Sequence, residues 1–158
     1  MSDKTATVLT HGRPSQTGAA IESLRIAALA HGWTLRFDAE EVTKHDLQPA
    51  PGLELNAPLS DDVDLCFALG GDGTILKGLR RYAGTSVPVF AVNFGEVGFL
   101  ATIDPDEVGD GFTKAFEGEF DVMTLPALAI ELPGGSHAAV NDVSFHRKVG
   151  DRVATLAY

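Results

Sequence analysis

Short apolar runs alternate with segments of helical periodicity through the first part of the chain. Ile21, Leu24 and Ala28 are spaced three or four positions apart, which predicts an amphipathic helix that follows a loop at residues 11–17 and ends at Gly32. Apolar and β-branched runs predict strands at residues 5–10, 35–37, 63–69 and 87–92. Because strands and helices alternate, the sequence predicts an α/β domain with a Rossmann-like parallel sheet.

Two more helices and one loop are predicted before residue 120. One helix covers residues 74–82, after a glycine-rich turn, and another starts at Asp104 as its N-cap. The apolar face of the latter is formed by Val108, Phe112, Ala115 and Phe116. Residues 48–58 contain prolines and no periodicity, so they are expected to form a surface loop.

After Phe120 the pattern changes to strands alone. Strands are predicted at residues 128–132 and 140–145, with a turn at 133–136 between them. We therefore expect an α/β domain at residues 1–121 and the first strands of an all-β, sandwich-like domain at 122–158. Two strands are only marginally stable in water, so this second domain is expected to be incomplete.

The charge balance limits the kind of partner that the chain can bind. It has 12 basic and 22 acidic residues and a formal net charge of -10, so it lacks the excess of Lys and Arg that nucleic acids require. No nucleic acid partner is predicted. An anionic ligand would have to be held locally, by backbone amides, a metal ion or a few basic side chains.

Cys66 is the single cysteine, so no intramolecular disulfide can form and a reducing compartment, the cytoplasm, is predicted. It lies in an apolar run without basic neighbours, which favours a buried, inert thiol over a reactive one. Neither a signal peptide nor an apolar run of bilayer length is evident, so no membrane partner is predicted.

The strongest chemical signal is the motif GGDGT at residues 70–74, between an apolar strand and a helix. Its glycines allow positive φ angles and let a phosphate approach the backbone N–H groups. A carboxylate beside phosphates repels them unless it binds a metal or accepts a proton from an attacking hydroxyl, so Asp72 is a candidate catalytic residue. The alternative is that Asp72 only caps the following helix.

A second glycine-bearing loop, residues 93–100, follows the next strand. The carboxyl ends of parallel strands meet at one edge of the sheet, where open α/β sheets bind their ligands. Two such loops at that edge favour a binding site over structural turns. Phe94 and Phe99 are candidates for packing on an adenine ring, although phenylalanine is more often part of the core.

Taken together, the motifs resemble those of the NAD kinase family. GGDGT, the pattern N-x-G-x-x-G-F-L at residues 93–100 and Val-Asn-Asp-Val at residues 140–143 follow one another in the family's order. The resemblance covers nearly the whole chain. Lipid kinases share GGDGT, but they typically carry Pro-x-Gly-Thr-x-Asn after the next strand, where this chain has the second loop.

The resemblance implies transfer of the γ-phosphoryl group of ATP, or of polyphosphate, to the 2′-hydroxyl of the adenosine ribose of NAD, which yields NADP. Asp72 would be the general base, Gly71 and Gly73 would shape the phosphate loop, and Asn141 and Asp142 would bind NAD. Mg²⁺ is expected, because this transfer needs charge neutralisation, although no set of protein metal ligands is predicted.

Further nucleotide contacts are predicted on the same basis. Asn93, the first residue of the second loop, is one of these predicted contacts. Lys77 lies one turn into the helix after GGDGT, where family members often carry a basic residue near a phosphate; the alternative is a solvated surface lysine. Arg152, which follows the Asn-Asp pair, is a candidate phosphate contact of the same kind. Arg147 or Lys148 would take that role if the loop shifts.

Other expectations concern the whole protein. The family's further Asp-Gly segment and its Thr-Gly-Ser-Thr-Ala-Tyr-like stretch are not found in the 158 residues, so this chain is expected to be inactive alone. The full-length protein is expected to be a homo-oligomer, a dimer or tetramer, as in the family. Two alternatives stay open: a lipid kinase of the diacylglycerol or sphingosine type, and a non-catalytic module that senses NAD or NADP.

Overall fold

The structure is a computed structural model that describes residues 4–94, 100, 103, 107–144, 146 and 150. The chain divides into two compact units, Met1–Met123 and Thr124–Tyr158, and each is described here by itself. No helix among the described residues is both long and apolar enough to cross a membrane.

The first unit contains a five-stranded sheet in which all neighbouring strands are parallel. The spatial order is β3-β2-β1-β4-β5. β2 and β3 therefore lie on one side of the adjacent strands β1 and β4, and β5 lies on the other side. This arrangement confirms the predicted Rossmann-like α/β fold. The strands are β1 Lys4–Thr10, β2 Trp33–Phe37, β3 Leu53–Leu55, β4 Leu65–Gly70 and β5 Val89–Asn93.

In the described part of the first unit, four helices accompany the sheet: α1 Pro14–Ala30, α2 Ala39–His45, α3 Asp72–Arg81 and α4 Val108–Glu117. α1 begins four residues earlier than predicted, because Pro14 occupies its first turn and a fixed φ suits that position. It ends before Gly32, which has a φ of +70°. The predicted N-cap Asp104 of the last helix lies outside the described residues, and Glu107 is the N-cap of α4.

Neither α2 nor β3 was predicted. Residues 48–58 were expected to form a loop, but they include the three-residue edge strand β3, which is too short to show a period. α2 lacks an apolar face, since its one fully buried residue is Glu41. A local signal was nevertheless present, because the Asp38 carboxylate caps α2 by accepting the Glu41 N–H at 2.9 Å.

Side chains from β4 alternate between two cores on the two faces of the sheet. Phe67 and Leu69 join the core made with α1 and α4, where the Phe67 and Phe112 rings meet edge to face at 5.6 Å. Cys66 and Ala68 point the other way, toward α3 and the segment after it. Helices therefore cover both faces, and both central strands are buried.

The second unit contains an antiparallel hairpin, β6 Leu128–Leu132 and β7 Gly135–Ala139, as expected for the start of a β domain. The predicted strand at residues 140–145 is wrong in its position. A two-residue turn, Pro133-Gly134, pairs Leu132 with Gly135, so the second strand begins earlier and ends at Ala139.

Candidate functional site

The strand order places a topological switch point at the carboxyl edge of the sheet, between β1 and β4, which we call the crevice. From β1 the chain proceeds to β2 on one side, and from β4 it proceeds to β5 on the other. The loops that follow β1 and β4 therefore diverge toward opposite faces of the sheet, and such a switch point is where open α/β sheets bind ligands. The β4 loop carries GGDGT, and the β1 loop is residues 11–13.

The turn in GGDGT leads directly into α3. Gly71 is the N-cap of α3, with φ -83° and ψ -174°, and its carbonyl accepts the Thr74 N–H at 2.9 Å. The described glycines with positive φ do not include Gly70, Gly71 or Gly73, so the expectation of positive φ angles here is wrong.

The space around them, rather than φ, distinguishes two of these glycines. A Cβ on Gly70 would overlap the Thr74 side chain and lie 3.1 Å from Cβ of His11, so the β1 and β4 loops meet at this point without room for a side chain. A Cβ on Gly73 would have no atom within 4 Å. The first turn of α3 is therefore open to an approaching ligand at Gly73.

Asp72 is the first residue of α3 and is partly exposed. The N-cap of α3 is Gly71, so Asp72 is not the N-cap residue that the alternative interpretation assumed. Its Oδ1 accepts the Leu100 N–H at 3.3 Å, which joins GGDGT to the end of the second predicted loop. A negative charge in the first turn also interacts favourably with the helix dipole. Asp72 thus lies on the rim of the crevice.

The start of the second loop lies beside GGDGT. Asn93 ends β5 in register with Gly70, and the Phe94 N–H donates to the Gly70 carbonyl at 3.2 Å. The Asn93 N–H donates to the Ile103 carbonyl at 3.1 Å. The Phe94 ring is half-buried and packs against the core, which is the structural role weighed above.

Lys77 lies on α3, and its Nζ is 3.3 Å from Oε2 of Glu40 on α2. The lysine side chain is 42% exposed and the glutamate 64% exposed, so this surface ion pair is weak and easily exchanged. A phosphate contact by Lys77 stays a prediction.

The remaining predicted residues belong to the second unit or lie outside the described residues. Asn141 and Asp142 are exposed residues of the second unit, and Oδ2 of Asp142 accepts the Ser144 hydroxyl at 3.0 Å. Phe99, Arg152, Arg147 and Lys148 lie outside the described residues.

The β1 loop was not predicted as part of the site. His11 donates its N–H to the Leu69 carbonyl at 2.9 Å, and His11 Nδ1 accepts the Arg13 N–H at 3.0 Å. The available signal was the order apolar strand, polar loop with a glycine, then helix, which is the same layout as GGDGT.

A buried charged cluster lies directly behind this loop, made of Thr10, Glu41, Lys44 and His45. The Glu41 side chain is fully buried and accepts the Thr10 hydroxyl at 2.5 Å, the Thr10 N–H at 3.1 Å and Lys44 Nζ at 2.8 Å. His45 Nε2 lies 2.7 Å from the same hydroxyl, and burial lowers the pKa of His45. The cluster fixes the carboxyl end of β1.

Residues 31–120 match the family model of the ATP-NAD kinase N-terminal domain, which is more than half of the chain. The chain belongs to the NAD kinase family. An NAD kinase from Bifidobacterium longum subsp. infantis is 32% identical over 99% of this chain and 46% of the relative. One from Syntrophotalea carbinolica is 36% identical over 75% of this chain and 40% of the relative.

The fold of this NAD kinase family member is also found in a solved structure. Yeast NADH kinase complexed with NADH superposes with a TM-score of 0.63, covering 87% of this chain and 47% of the yeast chain at 19% identity. The chain thus spans about half the length of the relatives that it matches.

Proposed function

We propose that the protein is an NAD kinase that transfers the γ-phosphoryl group of ATP, or a phosphoryl group of polyphosphate, to the adenosine-ribose 2′-hydroxyl of NAD. One observation carries this proposal: Asp72 lies in GGDGT at the carboxyl edge of the sheet and is the first residue of α3 rather than its N-cap. Membership of the NAD kinase family favours this activity over a lipid kinase. Binding alone would not need a base, which disfavours a sensor.

In the proposed reaction, Asp72 accepts the proton of the 2′-hydroxyl as the ribose oxygen attacks the γ-phosphorus. The new P–O bond forms while the bond from that phosphorus to the bridging oxygen breaks, and ADP leaves with the electron pair. The Leu100 N–H at 3.3 Å from Oδ1 orients the carboxylate. Gly71 and Gly73 would shape the phosphate loop, and the open space at Gly73 would let backbone N–H groups reach the donor phosphates.

The donor set of this site fits Mg²⁺, which prefers oxygen ligands and usually arrives with nucleotide phosphates and few protein carboxylates. Among the residues that the structure describes, no group of three or more His, Cys, Asp or Glu side chains could hold a metal by itself. Asp72 would supply the carboxylate oxygens, since it is part of GGDGT itself. When bound, Mg²⁺ would neutralise charge on the phosphates.

Other parts of the proposal rest on the resemblance. Asn141 and Asp142 would bind NAD, and Asn93, Phe94, Phe99, Lys77 and Arg152 would contact the nucleotides. Of these, Phe94 is supported least, since its ring packs on the core. We also propose a cytoplasmic location and a homo-oligomeric state, a dimer or tetramer, for the full-length protein.

The test is Asp72→Asn in the full-length enzyme. Turnover should fall by about 10²- to 10⁴-fold, the usual contribution of general-base catalysis, with a much smaller change in KM for NAD. Asp110→Asn is the matched control, because Asp110 also lies in the first turn of a helix, α4, and is exposed. Near-parental turnover in folded Asp72→Asn would remove Asp72 from the mechanism, and NAD binding without any turnover in the parent would indicate a sensor.

A further inference from the structure

We propose that the β1 loop, residues 11–13, is a second phosphate-binding arm of the crevice, in which His11 and Arg13 contact the polyphosphate of the phosphoryl donor. This inference rests on the proposed function and adds residues to it that the motifs did not indicate.

The β1 loop lies next to GGDGT. The His11 N–H donates to the carbonyl of Leu69, the residue before GGDGT, at 2.9 Å. His11 Cβ also lies 3.1 Å from the position that a Cβ on Gly70 would take. A polyphosphate lying over Gly71 and Gly73 would therefore have the β1 loop as its neighbour.

Hydrogen bonding sets the tautomer of His11. Its Nδ1 accepts the Arg13 N–H at 3.0 Å, so that nitrogen carries no proton and the ring proton lies on Nε2. Nε2 has no hydrogen-bond partner among the residues that the structure describes. The imidazole can thus donate one hydrogen bond to a phosphate oxygen.

Arg13 is exposed and has no ion pair with any described residue, whereas Arg25, Arg36 and Arg81 each pair with a carboxylate. Arg80 also lacks such an ion pair, but its Nε donates to the Leu76 carbonyl of its own helix at 3.4 Å. A guanidinium binds phosphate with two parallel N–H groups, a geometry that lysine cannot reproduce. In a chain with a net charge of -10, an unpaired arginine at the crevice is a local anion site.

The loop is anchored from behind. Thr10, the residue before it, is held through its N–H and its hydroxyl by the buried Glu41 carboxylate, at 3.1 and 2.5 Å. Lys44 Nζ, 2.8 Å from Glu41, balances that negative charge. His11 and Arg13 therefore start from a fixed backbone, which lowers the entropy lost when they bind a ligand.

The experiment compares Arg13→Gln, Arg13→Lys and His11→Ala with the parental full-length enzyme. Arg25→Gln is the matched control, since it removes the same charge about 18 Å further along α1, at 1.5 Å per residue. We expect Arg13→Gln to raise KM for ATP about tenfold or more, with KM for NAD changed less than about twofold. Arg13→Lys should recover only part of this loss, and His11→Ala should raise KM for ATP less than Arg13→Gln does.

Two results would overturn the proposal. Unchanged KM values in Arg13→Gln would remove the arm, and a rise confined to KM for NAD would assign these residues to the diphosphate of NAD instead. Binding of inorganic tripolyphosphate, measured by calorimetry on the same variants, needs no turnover. It tests the arm even if the parent fails to make NADP, an outcome that would count against the proposed function alone.

Discussion

The buried carboxylate of Glu41 should be worth far more to stability than an exposed one. It accepts hydrogen bonds from the Thr10 N–H, the Thr10 hydroxyl and Lys44 Nζ, and its side chain is 0% exposed. Glu41→Ala leaves the Lys44 charge, only 15% exposed, without its buried partner. Removing one member of a buried ion pair costs about 3–5 kcal/mol, a large share of the roughly 5–15 kcal/mol that stabilises a domain.

Glu54→Ala is the matched control. Glu54 pairs with Arg36 at 2.9 Å but is 49% exposed, so its removal should cost about 0–1 kcal/mol. The assay is equilibrium urea unfolding followed by fluorescence of Trp33, the single tryptophan, which is 7% exposed in the α/β unit and so reports on that unit. If the two variants lose free energies of unfolding within about 1 kcal/mol of each other, the assigned role of the Glu41 cluster is incorrect.

Three further outcomes are expected. Burial raises the pKa of Cys66 to about 12, so alkylation by iodoacetamide near neutral pH should be at least about 100-fold slower in the native chain than in concentrated urea; comparable rates would contradict its burial. Burial lowers the pKa of His45 below its ordinary value of 6.5, so the folded state binds fewer protons than the unfolded state. Stability should therefore be fully present above about pH 6.5 and fall as the pH drops, and His45→Gln should reduce that dependence in urea unfolding at each pH. Gly70→Ala should cost about 1–3 kcal/mol, because the new Cβ overlaps the Thr74 side chain, whereas Gly73→Ala should leave the free energy of unfolding nearly unchanged. Equal losses in the two variants would refute the account of this turn.

Local pattern was enough to predict the alternating elements and the parallel sheet. The central strands are continuous apolar runs because both of their faces are covered, and α1 and α4 show their buried faces as residues three or four apart. GGDGT could be predicted as a candidate phosphate loop because that prediction depends on neighbouring residues alone. Asp72 is part of the same motif, so the sequence alone indicated it as a candidate catalytic residue.

Only the tertiary structure decided which other residues meet this loop. Residues 11–13 join the crevice because β1 lies next to β4 in the sheet, although some 60 residues separate them along the chain. α2 was missed because its buried face is the carboxylate Glu41, whose burial is stabilised by Thr10 and Lys44 rather than by apolar contacts. The need for glycine at position 70 also depends on tertiary contacts. Gly70 is required because the His11 and Thr74 side chains pack against it, and not because of its own φ angle. Periodicity records how a residue faces the core, whereas contacts between distant segments depend on strand order, which sequence periodicity does not encode.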